Sequence, residues 1–200
     1  REPLYEKEDA AKALSLWSTH EYHESFSIGD MSVEFADAGH ILGSSTIRLS
    51  RGGRSIVFSG DLGNTPEPLL KDTEYPRGAN YLLVESVYGD RLHEERSERK
   101  EMLRRAFEDI RERKGTLLIP SFSIERTQIL VFELNDMVED GSMRHIPVYL
   151  DSPLATRVTE VFRRSTVLLN DKAKEHFERG DDPFAFKGLK VVGHTGESRE

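Results

Sequence analysis

Cysteine is absent from this 200-residue sequence, which excludes disulfide bonds and metal sites built on thiolates. Any metal ion bound by the chain must therefore take its ligands from His, Asp or Glu. Long apolar runs are also lacking: no stretch approaches the roughly 20 residues of a membrane span, and no signal-peptide pattern opens the chain. These absences are typical of a cytoplasmic protein that makes no membrane contact.

Excess positive charge is lacking as well. Lys and Arg number 28 against 36 Asp and Glu, which gives a net charge of -8. This balance argues against a general nucleic-acid coat protein, because non-specific affinity comes from Lys and Arg neutralising phosphates. It is compatible with an enzyme that holds one strand in a local channel. With 36% hydrophobic residues, the chain is long enough to bury a sizeable core.

The two ends of the sequence indicate a piece of a longer protein. The first residue is Arg1 rather than Met, and the last residues form a polar segment directly after an apolar strand. We therefore expect the chain to be an internal part of its parent.

The first half of the chain predicts a helix followed by antiparallel sheet. Four apolar residues recur at helical spacing near the start: Ala10, Ala13, Leu14 and Trp17. Residues 31–58 alternate apolar and polar side chains around the Gly52-Gly53 pair, which is a strong hairpin signal. The apolar run 81–84 then predicts a buried strand that ends at Glu85.

The second half alternates apolar strand patterns with helix patterns. The expected strands are 116–119, 147–150 and 189–192. The expected helices run from a cap at Ser97 to Gly115, from a cap at Ser123 to Gly141, from Pro153 onward, and from Asp171 to Glu178. Repeated strand-helix-strand units predict a mostly parallel, doubly wound sheet.

Ligands of such sheets collect outside the carboxyl ends of the strands. Polar residues follow apolar runs at five of these positions: Asp61, Glu85, Ser121, Asp151 and Ser152. Asp and Ser are also ordinary turn and cap residues, and for the last three a structural role is favoured. His20 and His23 lie three residues apart without a helix pattern, so we interpret them as solvated edge residues rather than as ligands.

His40 and Asp61 have surroundings that suit a metal site. Gly39 and Gly43 free the backbone on both sides of His40, and imidazole is a common zinc ligand. Asp61 follows Gly60, and its carboxylate could bridge two divalent ions or form an Asx turn. Because both residues lie at the mouths of neighbouring strands, the sequence predicts half of a hydrolytic metal centre.

Three segments, in this order and spacing, carry a family resemblance. They are Asp-Ala-Gly-His-Ile-Leu-Gly-Ser-Ser at 37–45, Phe-Ser-Gly-Asp-Leu-Gly-Asn at 58–64 and Val-Glu-Ser-Val-Tyr-Gly-Asp-Arg at 84–91. The chain thereby resembles the metallo-β-lactamase-fold RNA-processing nucleases with an inserted β-CASP domain, a family that includes the cleavage and polyadenylation endonucleases and ribonuclease J. Residues 116–130 and 147–156 are similar to the β-CASP domain itself.

The resemblance implies an α/β fold in two parts. Residues 1–92 would be the C-terminal part of the first half of a metallo-β-lactamase αββα sandwich. Residues 93–200 would be a β-CASP domain with a mostly parallel, doubly wound sheet, incomplete at its C-terminus.

The resemblance also implies roles for three residues. His40 takes the place of the single histidine that binds one zinc ion, and Asp61 that of the carboxylate that bridges both zinc ions. Glu85 matches the acid that orients a histidine from a later motif. The family's His-x-His-x-Asp-His cluster and its two later histidine motifs are missing from these 200 residues, so we expect the chain alone to be inactive and to bind zinc weakly.

For the full-length parent, the resemblance implies zinc-dependent hydrolysis of phosphodiester bonds in single-stranded RNA. Arg91, Arg126 and Arg157 are candidates for phosphate contacts, although charged residues on helix faces are more often simply solvated. Two alternatives stay open: a non-catalytic β-CASP scaffold, and a DNA nuclease or small-ester hydrolase on the same fold. Apolar faces of residues 31–58 would be exposed in the isolated chain, and we hypothesise homodimerisation or disorder there.

Overall fold

A computed structural model of the chain describes residues 3–92, 96–144 and 147–192. The elements, in chain order, are α1 (Lys7–Leu14), β1 (Phe26–Ile28), β2 (Met31–Asp37), β3 (Ser45–Arg51), β4 (Arg54–Phe58), β5 (Tyr81–Leu83), α2 (Arg96–Glu112), α3 (Arg126–Glu139), β6 (Val148–Leu150), α4 (Pro153–Arg164), a 3₁₀ helix (Thr166–Leu168), α5 (Asp171–Glu178) and β7 (Leu189–Val191). Within the described ranges, no helix is long and apolar enough to cross a membrane.

The first half forms a five-stranded sheet in the order β1-β2-β3-β4-β5. Strands β1 to β4 are antiparallel neighbours, and β5 is parallel to β4. Arg51 pairs with Arg54, and the glycines between them, Gly52 and Gly53, have φ angles of 56° and 75°. Two positive φ angles define the tight turn that suits the twist of a hairpin. The antiparallel sheet predicted for residues 31–58 is therefore confirmed.

One face of this sheet is apolar. The pairings Phe35 with Ile47, and Ile47 with Phe58, place these side chains in a row across three strands. Ile47 and Phe58 are each 36% exposed, and all three residues of β5 are exposed. The expectation of a buried strand at 81–84 is wrong for this chain, because β5 pairs only with β4 and no other described element covers it.

The helical half has its own hydrophobic core. Phe132 and Leu134 of α3, Phe162 of α4 and Leu169 are at most 2% exposed. Two leucines from the segment after β4 join this cluster: Leu69 and Leu70. The boundary between residues 92 and 93 stays a prediction, but the core of the C-terminal side includes side chains from the N-terminal side.

Asn170 secures that segment to α5. Its side-chain amide donates hydrogen bonds to the carbonyl groups of Glu67 and Pro68, at 3.0 and 2.9 Å. Its side-chain oxygen accepts the Ala173 N–H at 2.8 Å and so caps α5. One residue therefore begins a helix and fixes the chain that leads away from the sheet.

Several predicted boundaries in the second half need correction. Residues 116–119 form no strand, since no described segment offers them a hydrogen-bonding partner. Among the described residues of the second half, the paired strands are β6 and β7, which form a two-stranded parallel sheet. Ser97 lies inside α2 rather than before it. Helix α3 begins after Glu125 instead of Ser123, whose hydroxyl lies 3.3 Å from that of Ser152.

The remaining helix predictions fit the structure. Helix α4 begins at Pro153, and Ser152 caps it by accepting the Ala155 N–H at 3.2 Å, the structural role favoured for this serine. Helix α5 has the predicted bounds. The first helix is present, but its apolar stripe is exposed throughout, and Trp17 lies beyond its end.

Candidate metal centre

The His40 loop, residues 38–44, connects β2 to β3 and is fixed by its own hydrogen bonds. The Ser44 hydroxyl oxygen accepts the backbone N–H groups of His40 and Ile41, at 3.1 and 3.2 Å. The Ala38 N–H donates to the Ser44 carbonyl at 3.1 Å and closes the loop. The serine that follows the histidine by four residues therefore holds the histidine's backbone in place.

The His40 loop packs against the Asp61 loop, residues 59–64, without space for a side chain. The Gly63 N–H donates to the Ala38 carbonyl at 2.9 Å. A Cβ on Gly63 would lie 1.8 Å from the carbonyl oxygen of Gly39, and a Cβ on Gly39 would lie 2.9 Å from Thr73. Glycine is required at Gly63 because the backbones of the two loops touch there, and at Gly39 because Thr73 lies against it.

This contact brings His40 and Asp61 together. The His40 Nε2 atom lies 3.8 Å from an Asp61 carboxylate oxygen, and the side chains are 37% and 74% exposed. Two ligand atoms on one zinc ion, each about 2.0–2.2 Å from it, must lie within about 4 Å of each other. Imidazole and carboxylate are suitable donors, and their exposure leaves room for further ligands. The pair fits part of a metal site.

Glu85 is held beside the Asp61 loop. Its two carboxylate oxygens accept the N–H groups of Val87 and Leu62, both at 3.1 Å. These two hydrogen bonds, with the Val87 bond the stronger influence, lower the pKa of Glu85, and nearby His40 acts in the same direction. The Glu85 N–H donates to the Ser59 hydroxyl at 3.0 Å. All three residues predicted for the site therefore lie around one contact between loops.

Known proteins resemble the chain over nearly its whole length. A ribonuclease from Thermus thermophilus is 35% identical over 198 residues, which cover 99% of this chain and 46% of the relative. An RNase J-like protein from Methanocaldococcus jannaschii is 32% identical over 186 residues, or 90% of this chain and 44% of the relative. Cleavage and polyadenylation specificity factor subunit 3 from Dictyostelium discoideum is 29% identical over 191 residues, or 94% of this chain and 24% of the relative.

Residues 127–200 match the family described as Beta-Casp domain. Residues 127–200 thus belong to this domain family. The chain spans about half or less of the length of the curated relatives just named.

Other polar residues singled out in the sequence lie apart from this centre or have structural partners. The His20 ring stacks on Phe26 with centroids 3.6 Å apart, and His23 lies 3.1 Å from Glu74. The two histidines therefore contact different neighbours rather than forming a metal-binding pair with each other. Ser121 and Asp151 are exposed.

Glu125 is a buried acid that the sequence did not reveal. Glu125 is only 4% exposed, and one of its carboxyl oxygens accepts the Leu42 N–H of the His40 loop at 3.2 Å. The other oxygen is buried without a hydrogen-bond partner among the described residues. Burial, reinforced by the charge of Glu67, raises the pKa of Glu125 to about 8. Its place in an otherwise ordinary helix-start sequence gave no signal of this environment.

A second acid and histidine group lies in the helical half. Ligand atoms of Glu139, His176 and Asp181 lie within 4.8 Å of one another. However, the His176 Nδ1 atom is 2.7 Å from Asp181, and its Nε2 atom faces Asp136, which is paired with Lys172. Both ring nitrogens face carboxylates and Asp136 is paired with Lys172, so contacts among these side chains account for the group without a metal.

Proposed function

We propose that the full-length protein hydrolyses phosphodiester bonds in RNA and that this chain supplies His40, Asp61 and Glu85 to its metal centre. The observation that carries the proposal is the 3.8 Å approach of His40 to Asp61 at the contact between two glycine loops. The names of the relatives, which include a ribonuclease and a cleavage and polyadenylation factor, supply the reaction class. Zinc is the proposed metal, with two ions in the complete centre.

Zinc, when bound, lowers the pKa of a water molecule and stabilises the charge that develops on a phosphate. Within this chain, His40 presents its ring from a loop whose backbone is already fixed by Ser44. Asp61 presents an exposed carboxylate from a loop that the Gly63 N–H holds to the Ala38 carbonyl of the His40 loop. Both groups are therefore oriented before a metal arrives, which reduces the ordering needed on binding.

Glu85 has a positioning role in the proposed reaction. Its lowered pKa keeps the carboxylate ionised at neutral pH, and its bond to Leu62 N–H fixes the loop that carries Asp61. An ionised acid at this position could also accept a hydrogen bond from a histidine supplied by another part of the parent.

Single-stranded RNA is the proposed substrate. The net charge of -8 means that binding must come from local contacts rather than from the overall field. Arg126 and Arg157 are exposed on α3 and α4 and are available for such contacts, whereas Arg91 is paired with Asp90. Mutating the first two is expected to weaken RNA binding and reduce its salt dependence.

The proposal extends to the architecture of the parent. Exposed β5 and the exposed Ile47 and Phe58 are the surfaces that further strands of a metallo-β-lactamase αββα sandwich would cover. The pair β6 and β7 would be part of the doubly wound sheet of the β-CASP domain. For the isolated chain, in which this face stays exposed, we propose homodimerisation through residues 31–58, and for the parent a cytoplasmic location.

The test is a cleavage assay with the full-length protein. Single-stranded RNA and DNA of the same sequence are incubated with and without a chelator, and zinc is then restored. RNA cleavage that is lost with chelator and regained with zinc is expected, and His40→Ala and Asp61→Asn should each lower it by at least about 100-fold. His23→Ala is the control, since His23 lies against Glu74 and not Asp61.

Three results would contradict the proposal. Faster cleavage of DNA would indicate a DNA nuclease. Hydrolysis of small esters alone would indicate an esterase. Metal binding without any hydrolysis would indicate a scaffold.

A further inference from the structure

Glu125 occupies a backbone conformation that is rare for a residue with a side chain. Its φ and ψ angles are 64° and -62°, and the Arg126 N–H donates to the Ile124 carbonyl at 2.8 Å. This i to i+2 hydrogen bond, with those angles, defines the γ-turn whose central residue is strained. Strain of this kind persists only where the surrounding structure enforces it, and it is concentrated at functional positions.

Burial adds a second unfavourable feature. Glu125 is 4% exposed, and one of its carboxyl oxygens lacks a partner among the described residues. Burying this group therefore carries a desolvation cost. Glycine would relieve the backbone strain, and an apolar side chain would remove the unpaired oxygen. Neither could accept the hydrogen bond that Glu125 accepts from Leu42 at 3.2 Å.

That hydrogen bond reaches the His40 loop from 83 residues further along the chain. The bonds from Ser44 to His40 and Ile41 set the shape of the loop, but they lie within it. Gly63 and Thr73 fix the loop at its Ala38 end. The Leu42 N–H, two residues beyond His40, is fixed to the start of α3. The helical half thus holds the loop on the other side of the histidine.

We propose that Glu125 is a positioning residue, which fixes His40 for metal binding by holding Leu42 to the start of α3. The inference rests on the proposed role of His40 as a metal ligand, and it adds that the helical half contributes to that role. The orientation of the imidazole, and with it the affinity of the centre for zinc, depends on this contact.

Two variants of Glu125 and one control separate positioning from simple stability. Glu125→Gly keeps the positive φ angle and relieves its strain but removes the acceptor. Glu125→Gln keeps an acceptor oxygen of the same reach. Thr127→Val removes a different hydrogen bond at the same helix start, that of the Thr127 hydroxyl to the Phe122 carbonyl at 2.6 Å.

Zinc affinity is measured in the full-length protein by competition with a chromophoric chelator. Glu125→Gly should weaken zinc binding about tenfold, as expected for the loss of one hydrogen bond that orders a ligand loop. Glu125→Gln should stay within about twofold of the wild type, and Thr127→Val should leave the affinity unchanged. Wild-type affinity in Glu125→Gly would overturn the inference, and so would equal weakening in all three variants.

Amide hydrogen exchange at Leu42 in the metal-free protein tests the contact independently of zinc. Exchange at Leu42 should be faster in Glu125→Gly and close to the wild-type rate in Glu125→Gln, with the Ser44 amide, which donates to Ile41, as the internal control. Unchanged exchange at Leu42 would overturn the inference. If the wild type showed this exchange pattern but neither bound zinc nor cleaved RNA, the proposed function would fail while the loop contact stood.

Discussion

Replacing Glu125 by Gln should change how the stability of the protein depends on pH. The pKa of Glu125 is raised from its ordinary value of 4.5 to about 8, chiefly by burial. The folded chain therefore binds this proton more tightly than the unfolded chain does, so the stabilisation is complete below pH 4.5 and is lost as pH rises toward about 8. At about 1.4 kcal/mol for each pH unit, the free energy of unfolding falls by about 5 kcal/mol at most between pH 4.5 and about 8.

Urea unfolding of wild type and Glu125→Gln between pH 5 and pH 9, followed by circular dichroism, measures this effect. The difference between the two proteins cancels the contributions of groups that titrate in both. Glutamine carries no proton to lose, so the variant should gain stability relative to the wild type by about 3–5 kcal/mol across the range. Parallel curves would refute the reasoning, because they would mean that the carboxyl group is solvated or is ionised throughout.

Three further predictions concern the same centre. Gly63→Ala should destabilise the protein by about 3 kcal/mol or more in thermal unfolding, because its Cβ would lie 1.8 Å from the Gly39 carbonyl, whereas Gly115→Ala, with no neighbour closer than 3.8 Å, should be nearly neutral. Glu85→Gln should lower kcat/KM for RNA by about 10–100-fold in the full-length protein, since one of the N–H groups of Leu62 and Val87 would then face an amide NH₂ group. Zinc titrated calorimetrically into this chain alone should bind weakly; tight stoichiometric binding would reveal a site other than the one proposed.

Local sequence signals predicted the parts of the fold that local interactions determine. The Gly52-Gly53 pair fixed the position of the hairpin, because a tight turn needs two positive φ angles. The bounds of α5 followed from its own pattern and from Gly180 after it. The strand predicted from the apolar run 116–119 was wrong, because a strand also needs a hydrogen-bonding partner, and no described segment supplies one.

The structure brings the predicted residues His40, Asp61 and Glu85 close together, but the sequence did not predict the contacts that hold them there. His40 and Asp61 stand in short motifs, and glycines beside them indicated close backbone contact. The contribution of Glu125 depends on a contact across 83 residues, and nothing in the local sequence distinguishes it from an exposed glutamate at a helix start. Leu69 and Leu70 are buried in the helical core, but their position in a loop rich in Pro gave no indication of this. Tertiary contacts of this kind have no local sequence signature.

Anomalous diffraction at the zinc edge, from crystals of the full-length protein grown with zinc, tests the central claim most directly. We predict a peak about 2.0–2.2 Å from both the His40 Nε2 atom and an Asp61 carboxylate oxygen. A protein that binds zinc only elsewhere, for example between Glu139, His176 and Asp181, would contradict the account.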